Sequence, residues 1–116
     1  MNNKSIFKKY FSFNNTECLI SNDVMSLVIK NPRKKIIMSK IKYLAKYLFT
    51  DIVIPAALYK KIENNIWEIK HHDIRIFCFR KNNNWFLYHA MIKKTDKIKD
   101  EIYIIRKKYN ELNSLA

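Results

Sequence analysis

The 116-residue chain contains no glycine. The P-loop and the dinucleotide fingerprint both need glycine where backbone closes on a phosphate, so ATP- or NAD-dependent chemistry built on them is excluded. Cysteine is nearly absent. Cys18 and Cys78 are too few and too far apart for a disulfide framework or a zinc site, and read as buried thiols in a reducing compartment. No apolar run approaches the ~18 residues of a membrane span. The basic start "MNNKSIFKKYFSF" lacks the apolar region of a signal peptide. A soluble, cytoplasmic protein without a membrane partner is expected. Acid is also scarce: ten Asp and Glu are scattered, with no carboxylate pair beside the basic strands. Metal-dependent nuclease chemistry therefore fits poorly, and neither metal nor cofactor is expected.

What is present is positive charge on a core-forming background. Lys and Arg number 23, giving a formal charge of +13, while 48% of residues are hydrophobic and 14% aromatic. That apolar content predicts a folded chain rather than a disordered basic tail, and the length predicts one domain spanning residues 1–116. The charge favours a polyanionic partner, nucleic acid first, because neutralised phosphates release counterions. An AT-rich coding background, visible in the Lys, Asn, Ile, Tyr and Phe content, is the competing explanation. Against it, only four basic residues are Arg: Arg33, Arg75, Arg80 and Arg106. Two of them fall in one predicted strand, where a planar fork pairs bidentately with phosphate.

Periodicity predicts the element order β, α, α, β, β, β, α. "IFKKYFSFN" reads as a first strand closed by "NNT". From Glu17 to Lys30 the helical spacing of Ile20, Val24, Leu27 and Val28 predicts a helix, though "SND" could equally open a shorter one. A second helix is capped by Asn31 with Pro32 at its first position, and Ile37, Ile41, Leu44 and Leu48 form its apolar stripe. Its other face carries Lys34, Lys35, Lys42 and Lys46, either a solvated surface or a phosphate-contacting one. Thr50 to Asn65 reads as a connection, Pro55 arguing against a central strand. "IWEIK", "DIRIFCFR" and "WFLYHAMI" follow as an antiparallel meander joined by "HHD" and "KNNN", where Asn tolerates the positive φ usually left to glycine. A helix from about Asp96 to Leu112 buries Ile98, Ile102, Ile105, Tyr109 and Leu112. The expected fold is α+β: a small antiparallel sheet, the C-terminal meander plus the N-terminal strand, with two to three helices on one face.

Strand alternation puts Arg75, Phe77 and Phe79 on one face and Ile74, Ile76, Cys78 and Arg80 on the other. The third strand divides into Trp85, Leu87, His89, Met91 and Phe86, Tyr88, Ala90, Ile92. Its register stays open, because two-residue and three-residue turns at "NNN" pair opposite sets. A half-buried Arg among aromatics needs an anion, either Glu68 or Asp73 within the protein or a phosphodiester shared with Lys70 and Lys93 or Lys94. His71 and His72, in a tight turn, are expected to be exposed. His89 is either a proton-transfer group or a hydrogen-bonded strand residue.

The order Trp67-Glu68-Ile69-Lys70, a turn, Arg75-Ile76-Phe77, an Asn turn, then His89 before Lys93-Lys94-Thr95 and a last helix resembles the HigB-like, phage-derived branch of the RelE/ParE toxin superfamily. Its members show a Trp-Glu-Leu-Arg-like strand, a Tyr-Arg-aliphatic-aromatic strand, and a His or similar residue before Lys-Lys-Thr. The resemblance covers Ile62 to Leu112, and Pro32 to Phe49 in pattern only. It implies a RelE-like fold and a toxin acting as a metal-free endoribonuclease on ribosome-bound mRNA. The implied partners are mRNA, rRNA and a cognate antitoxin. Lys70, Arg75, His89, Lys93 and Lys94 are the candidate catalytic set. Lys34, Lys35, Lys42, Lys46, His72, Arg80 and Lys97 are candidate RNA contacts. The alternative is a non-catalytic basic nucleic-acid-binding or regulatory protein of phage or plasmid origin.

Overall fold

A sheet built without glycine must turn on other residues, and asparagine supplies most of its left-handed backbone. The structure, a computed structural model, describes residues 6–13, 15–49, 59–63, 65–93 and 99–115. In chain order the elements are β1 (Phe7–Phe13), β2 (Thr16–Ser21), α1 (Asn22–Ile29), α2 (Lys34–Phe49), β3 (Tyr59–Glu63), β4 (Ile66–His71), β5 (Ile74–Lys81), β6 (Asn84–Ile92) and α3 (Lys99–Leu115). The six strands form one sheet in the order β1-β2-β6-β5-β4-β3. Asn15 (φ 64°), Asn65 (φ 61°), His72 (φ 54°), Asn82 (φ 52°) and Asn83 (φ 65°) stand at the four hairpin turns. Asn is the non-glycine residue that adopts this region most readily. The "NNN" segment makes a two-residue turn, Lys81 facing Asn84, with both central residues at positive φ as a type I′ turn requires.

The α+β class holds, but the sheet is mixed and larger than expected. Glu17–Ser21, read as the start of a helix, belongs with Thr16 to β2, which runs parallel to β6 with Cys18 opposite Trp85 and Ile20 opposite Leu87. Ser21 then caps α1, its Oγ accepting from the Val24 amide at 3.2 Å, so the shorter helix opened by "SND" is the one that forms. Tyr59–Glu63, read as connection, is the edge strand β3 paired with β4. Pro55 lies outside the described residues. α2 begins at Lys34 rather than Pro32, because the Asn31 side chain accepts from the Arg33 amide at 2.9 Å and holds Pro32 and Arg33 in a turn.

Helices cover both faces of the sheet, not one. Val24 and Val28 of α1 and Ile37 and Ile41 of α2 pack with Ile69, Ile74, Ile76, Cys78, Trp85 and Leu87. On the opposite face Ile105 of α3 packs with Phe77, Phe79, Phe86 and Tyr88, with Tyr109 and Leu112 at the margin. Ile98 lies outside the described residues. Among the described residues, no helix is long and apolar enough to cross a membrane.

Candidate functional site

Strict alternation would place Leu87 and His89 together, and the structure separates them. Phe77 pairs with His89 while the next residue, Cys78, pairs with Leu87, so Tyr88 is the extra residue of a β-bulge. Tyr88 turns into the α3-side core, where its hydroxyl donates to the Ile105 carbonyl at 3.0 Å. Leu87 faces α1 and α2, whereas His89 faces α3 beside Phe77. The bulge thus carries His89 onto the face shared by Lys70 and Arg75, which stand opposite each other on β4 and β5.

The β4–β5 turn gathers the cations at this end of the sheet. Arg75 is half-buried, and its Nη1 donates to the carbonyls of His72 at 2.5 Å and Ile74 at 3.0 Å. Those bonds wrap the guanidinium around the turn. There its charge, after desolvation by burial, helps pull the Lys40 ammonium of α2 below its ordinary pKa. Lys70 lies 3.9 Å from the carboxylate of Glu68, a buried residue. Glu68 therefore pairs with Lys70, and the turn carbonyls rather than Glu68 hold Arg75. The Lys93 amide donates to the Asp73 carbonyl at 2.6 Å, which brings Lys93 beside the same turn.

No family model matches the chain, and no curated protein matches it. What the site can do follows from its own groups.

His89 is enclosed by α3. Its Nε2 lies 3.1 Å from Glu101 and its Nδ1 3.1 Å from the Lys108 ammonium, with the side chain only 13% exposed. An ammonium can only donate, so Nδ1 accepts and the proton of the neutral ring sits on Nε2, directed at Glu101. Burial depresses the His89 pKa more strongly than the Glu101 hydrogen bond raises it, and Lys108 adds to the depression. Lys108 also reaches Asp23 of α1 at 3.8 Å. A neutral, oriented imidazole can accept a proton, although both its nitrogens are engaged by α3.

The remaining candidates disperse. Arg80 lies at the far end of β5 on the other face, donating to Asn83 and sitting 5.9 Å over the Trp85 ring. Lys34, Lys35 and Lys42 are exposed on α2, Lys42 being 5.4 Å from the Tyr10 ring centroid. The Lys46 side chain, Lys94 and Lys97 lie outside the described residues. His72 is exposed as expected, but His71 is buried at 8% exposure. It ends β4 on the face of Ile69, which is covered by α2. Reading the sequence alone missed Lys40, Glu101 and Lys108, whose positions depend on helix docking. Arg33 carried the signal already applied to Arg75, an Arg on a Lys-rich background. Burial raises the Cys18 thiol pKa to about 12 and raises that of Cys78 as well, so neither is a ready nucleophile.

Proposed function

We propose that this protein is a metal-free endoribonuclease, the toxin of a type II toxin–antitoxin pair, cleaving ribosome-bound mRNA in the cytoplasm. The observation that carries the reading is the β-bulge at Tyr88, which sets His89 on the face from which Lys70 and Arg75 leave β4 and β5; the Arg75 guanidinium, held at the turn, swings toward that face when RNA binds. In the reaction, the ribose 2′-oxygen attacks the adjacent phosphorus, the bond to the 5′-oxygen breaks, that oxygen takes a proton from water, and a 2′,3′-cyclic phosphate and a 5′-hydroxyl result. Arg75, permanently charged and anchored by the turn, stabilises the extra negative charge on the phosphorane. Lys70 and Lys93 hold flanking phosphates, with Lys94 as a further candidate. His89, neutral because it is buried, takes the 2′-proton once RNA displaces one of its two α3 partners. The exposed lysines of α2 give a nonspecific, salt-sensitive attraction to rRNA. The resemblance to RelE-like toxins supports the same chemistry and an antitoxin that restrains it.

A second reading, a non-catalytic basic RNA binder, draws on the same site. Both His89 nitrogens and part of the Arg75 guanidinium already have partners inside the protein. Expression in a bacterium separates the two. The ribonuclease reading requires growth arrest with mRNA cleavage, both lost in Arg75→Ala and Lys93→Ala; wild-type protein that leaves growth and ribosome-bound mRNA intact rejects it.

A further inference from the structure

A cavity of about 350 Å³ opens between the start of α2 and the β4–β5 turn, lined by Asn31, Pro32, Arg33, His71, Asp73 and Ile74. It lies next to the catalytic candidates, since Ile74 and Asp73 flank the turn that anchors Arg75, yet none of the proposed cleavage steps uses it. Its volume falls within the ~300–1,000 Å³ range of small-molecule sites.

Three features say what it holds. Arg33 is an exposed guanidinium at its rim, and the first turn of α2 carries Lys34 and Lys35 with no acidic residue to offset the positive end of the helix. His71 lines the wall, is more than nine-tenths buried, and has an Nε2 with no hydrogen-bond partner among the described residues. Buried polar atoms are nearly always paired, so an unpaired nitrogen in a residue of the cavity wall is unusual, and a small turn of the ring would present it to a ligand. Asp73 adds an acceptor, which a bare phosphate would avoid but which a ribose hydroxyl or a base amino group would satisfy. Pro32 and Ile74 add apolar wall. The His71 pKa is held down first by burial and then by Lys40, His72 and Arg33, with Asp73 opposing, so the ring is neutral and serves as a hydrogen-bonding group rather than a counter-ion.

We propose that this cavity is a subsite for one nucleotide of the RNA, its phosphate at Arg33 and the start of α2 and its sugar or base against Asp73, His71, Pro32 and Ile74. The assignment rests on the reading of the protein as RNA-acting and adds a second point of hold, on the α2 side of the turn.

The test is a histidine NMR titration of the full chain with adenosine 5′-monophosphate, inorganic phosphate and a short ribo-oligonucleotide. The nucleotide shifts the His71 resonance saturably, and the oligonucleotide competes for the same shift. Inorganic phosphate binds about tenfold more weakly or worse, lacking the groups that Asp73 and His71 engage. Arg33→Glu, at an exposed position that leaves the fold intact, weakens nucleotide binding about tenfold or more. Lys8→Glu, the same charge change on the exposed part of β1, has less than about a twofold effect. An unmoved His71 resonance, equal effects of the two substitutions, or nucleotide binding with which the oligonucleotide does not compete each overturns the proposal. Cleavage assays on the same samples separate the two readings. RNA cleavage with no nucleotide at His71 rejects the subsite alone, and saturable binding without cleavage rejects the nuclease alone.

Discussion

Arg75 stands directly opposite Lys70 across β4 and β5, and the two share a face although each is held by a different group. Glu68 holds Lys70 and the His72 and Ile74 carbonyls hold Arg75 through its Nη1, so the guanidinium is positioned by directed hydrogen bonds as well as by its charge. Arg75→Lys keeps the charge and loses that anchoring. RNA binding by Arg75→Lys should stay within about threefold of wild type, while cleavage falls about 10²-fold, near the effect of Arg75→Ala. Filter binding and cleavage rates measured on the same samples check the split.

His89 makes the protein acid-sensitive. Its folded pKa lies below the ordinary value, so below about pH 6.5 the unfolded chain takes up a proton that the folded chain refuses. The contribution to stability is full above that pH and is lost as pH falls toward the folded pKa; His71, also depressed, acts in the same direction. Thermal melts from pH 8 to pH 5 should show a falling Tm, and His89→Gln should flatten the decline. Glu101→Gln removes an interaction that raises the His89 pKa, so the loss should continue to lower pH in that variant.

The β5–β6 turn rests on two asparagines at positive φ. Asn82→Ala should cost about 1–2 kcal/mol, from placing a Cβ in the left-handed region. Asn82→Gly should be neutral or nearly so, since glycine takes that region without strain. Asn83→Gly should lose more than Asn82→Gly, because the Asn83 side chain donates to Thr16 at 3.1 Å and so links the turn to β2. Urea unfolding of the three variants ranks them.

The α3 contact depends on a narrow seam. Ile105 is its fully buried residue among those described on the helix, and Tyr88 donates to its carbonyl. Ile105→Ala should cost about 2–4 kcal/mol, and Tyr88→Phe about 1 kcal/mol. Hydrogen exchange should show the loss first in α3, leaving β4 and β5 protected.

The meander, its Asn turns and the described parts of the helical stripes, Ile37 and Ile41 of α2 and Ile105, Tyr109 and Leu112 of α3, were legible because each depends on local periodicity and turn chemistry. The parallel pairing of β2 with β6 was not, since Ile20, Val24 and Val28 fit a helical spacing whether or not the chain breaks at Ser21. The placing of Arg75 and Phe77 opposite Arg80 and Cys78 followed from simple alternation. His89 did not, because a bulge at Tyr88 changes its face and nothing in "WFLYHAMI" marks the extra residue. His71 looked exposed from its turn position, yet α2 covers it.

The central claim, that one face of the sheet cleaves RNA by 2′-oxygen attack, is tested most directly by the ends it leaves. Purified protein and ribosome-bound mRNA in EDTA should yield fragments with 2′,3′-cyclic phosphate and 5′-hydroxyl ends, at a rate about 10²-fold lower for Arg75→Ala. Intact mRNA with wild-type protein, fragments with 5′-phosphate ends, or a rate unchanged by Arg75→Ala would contradict it.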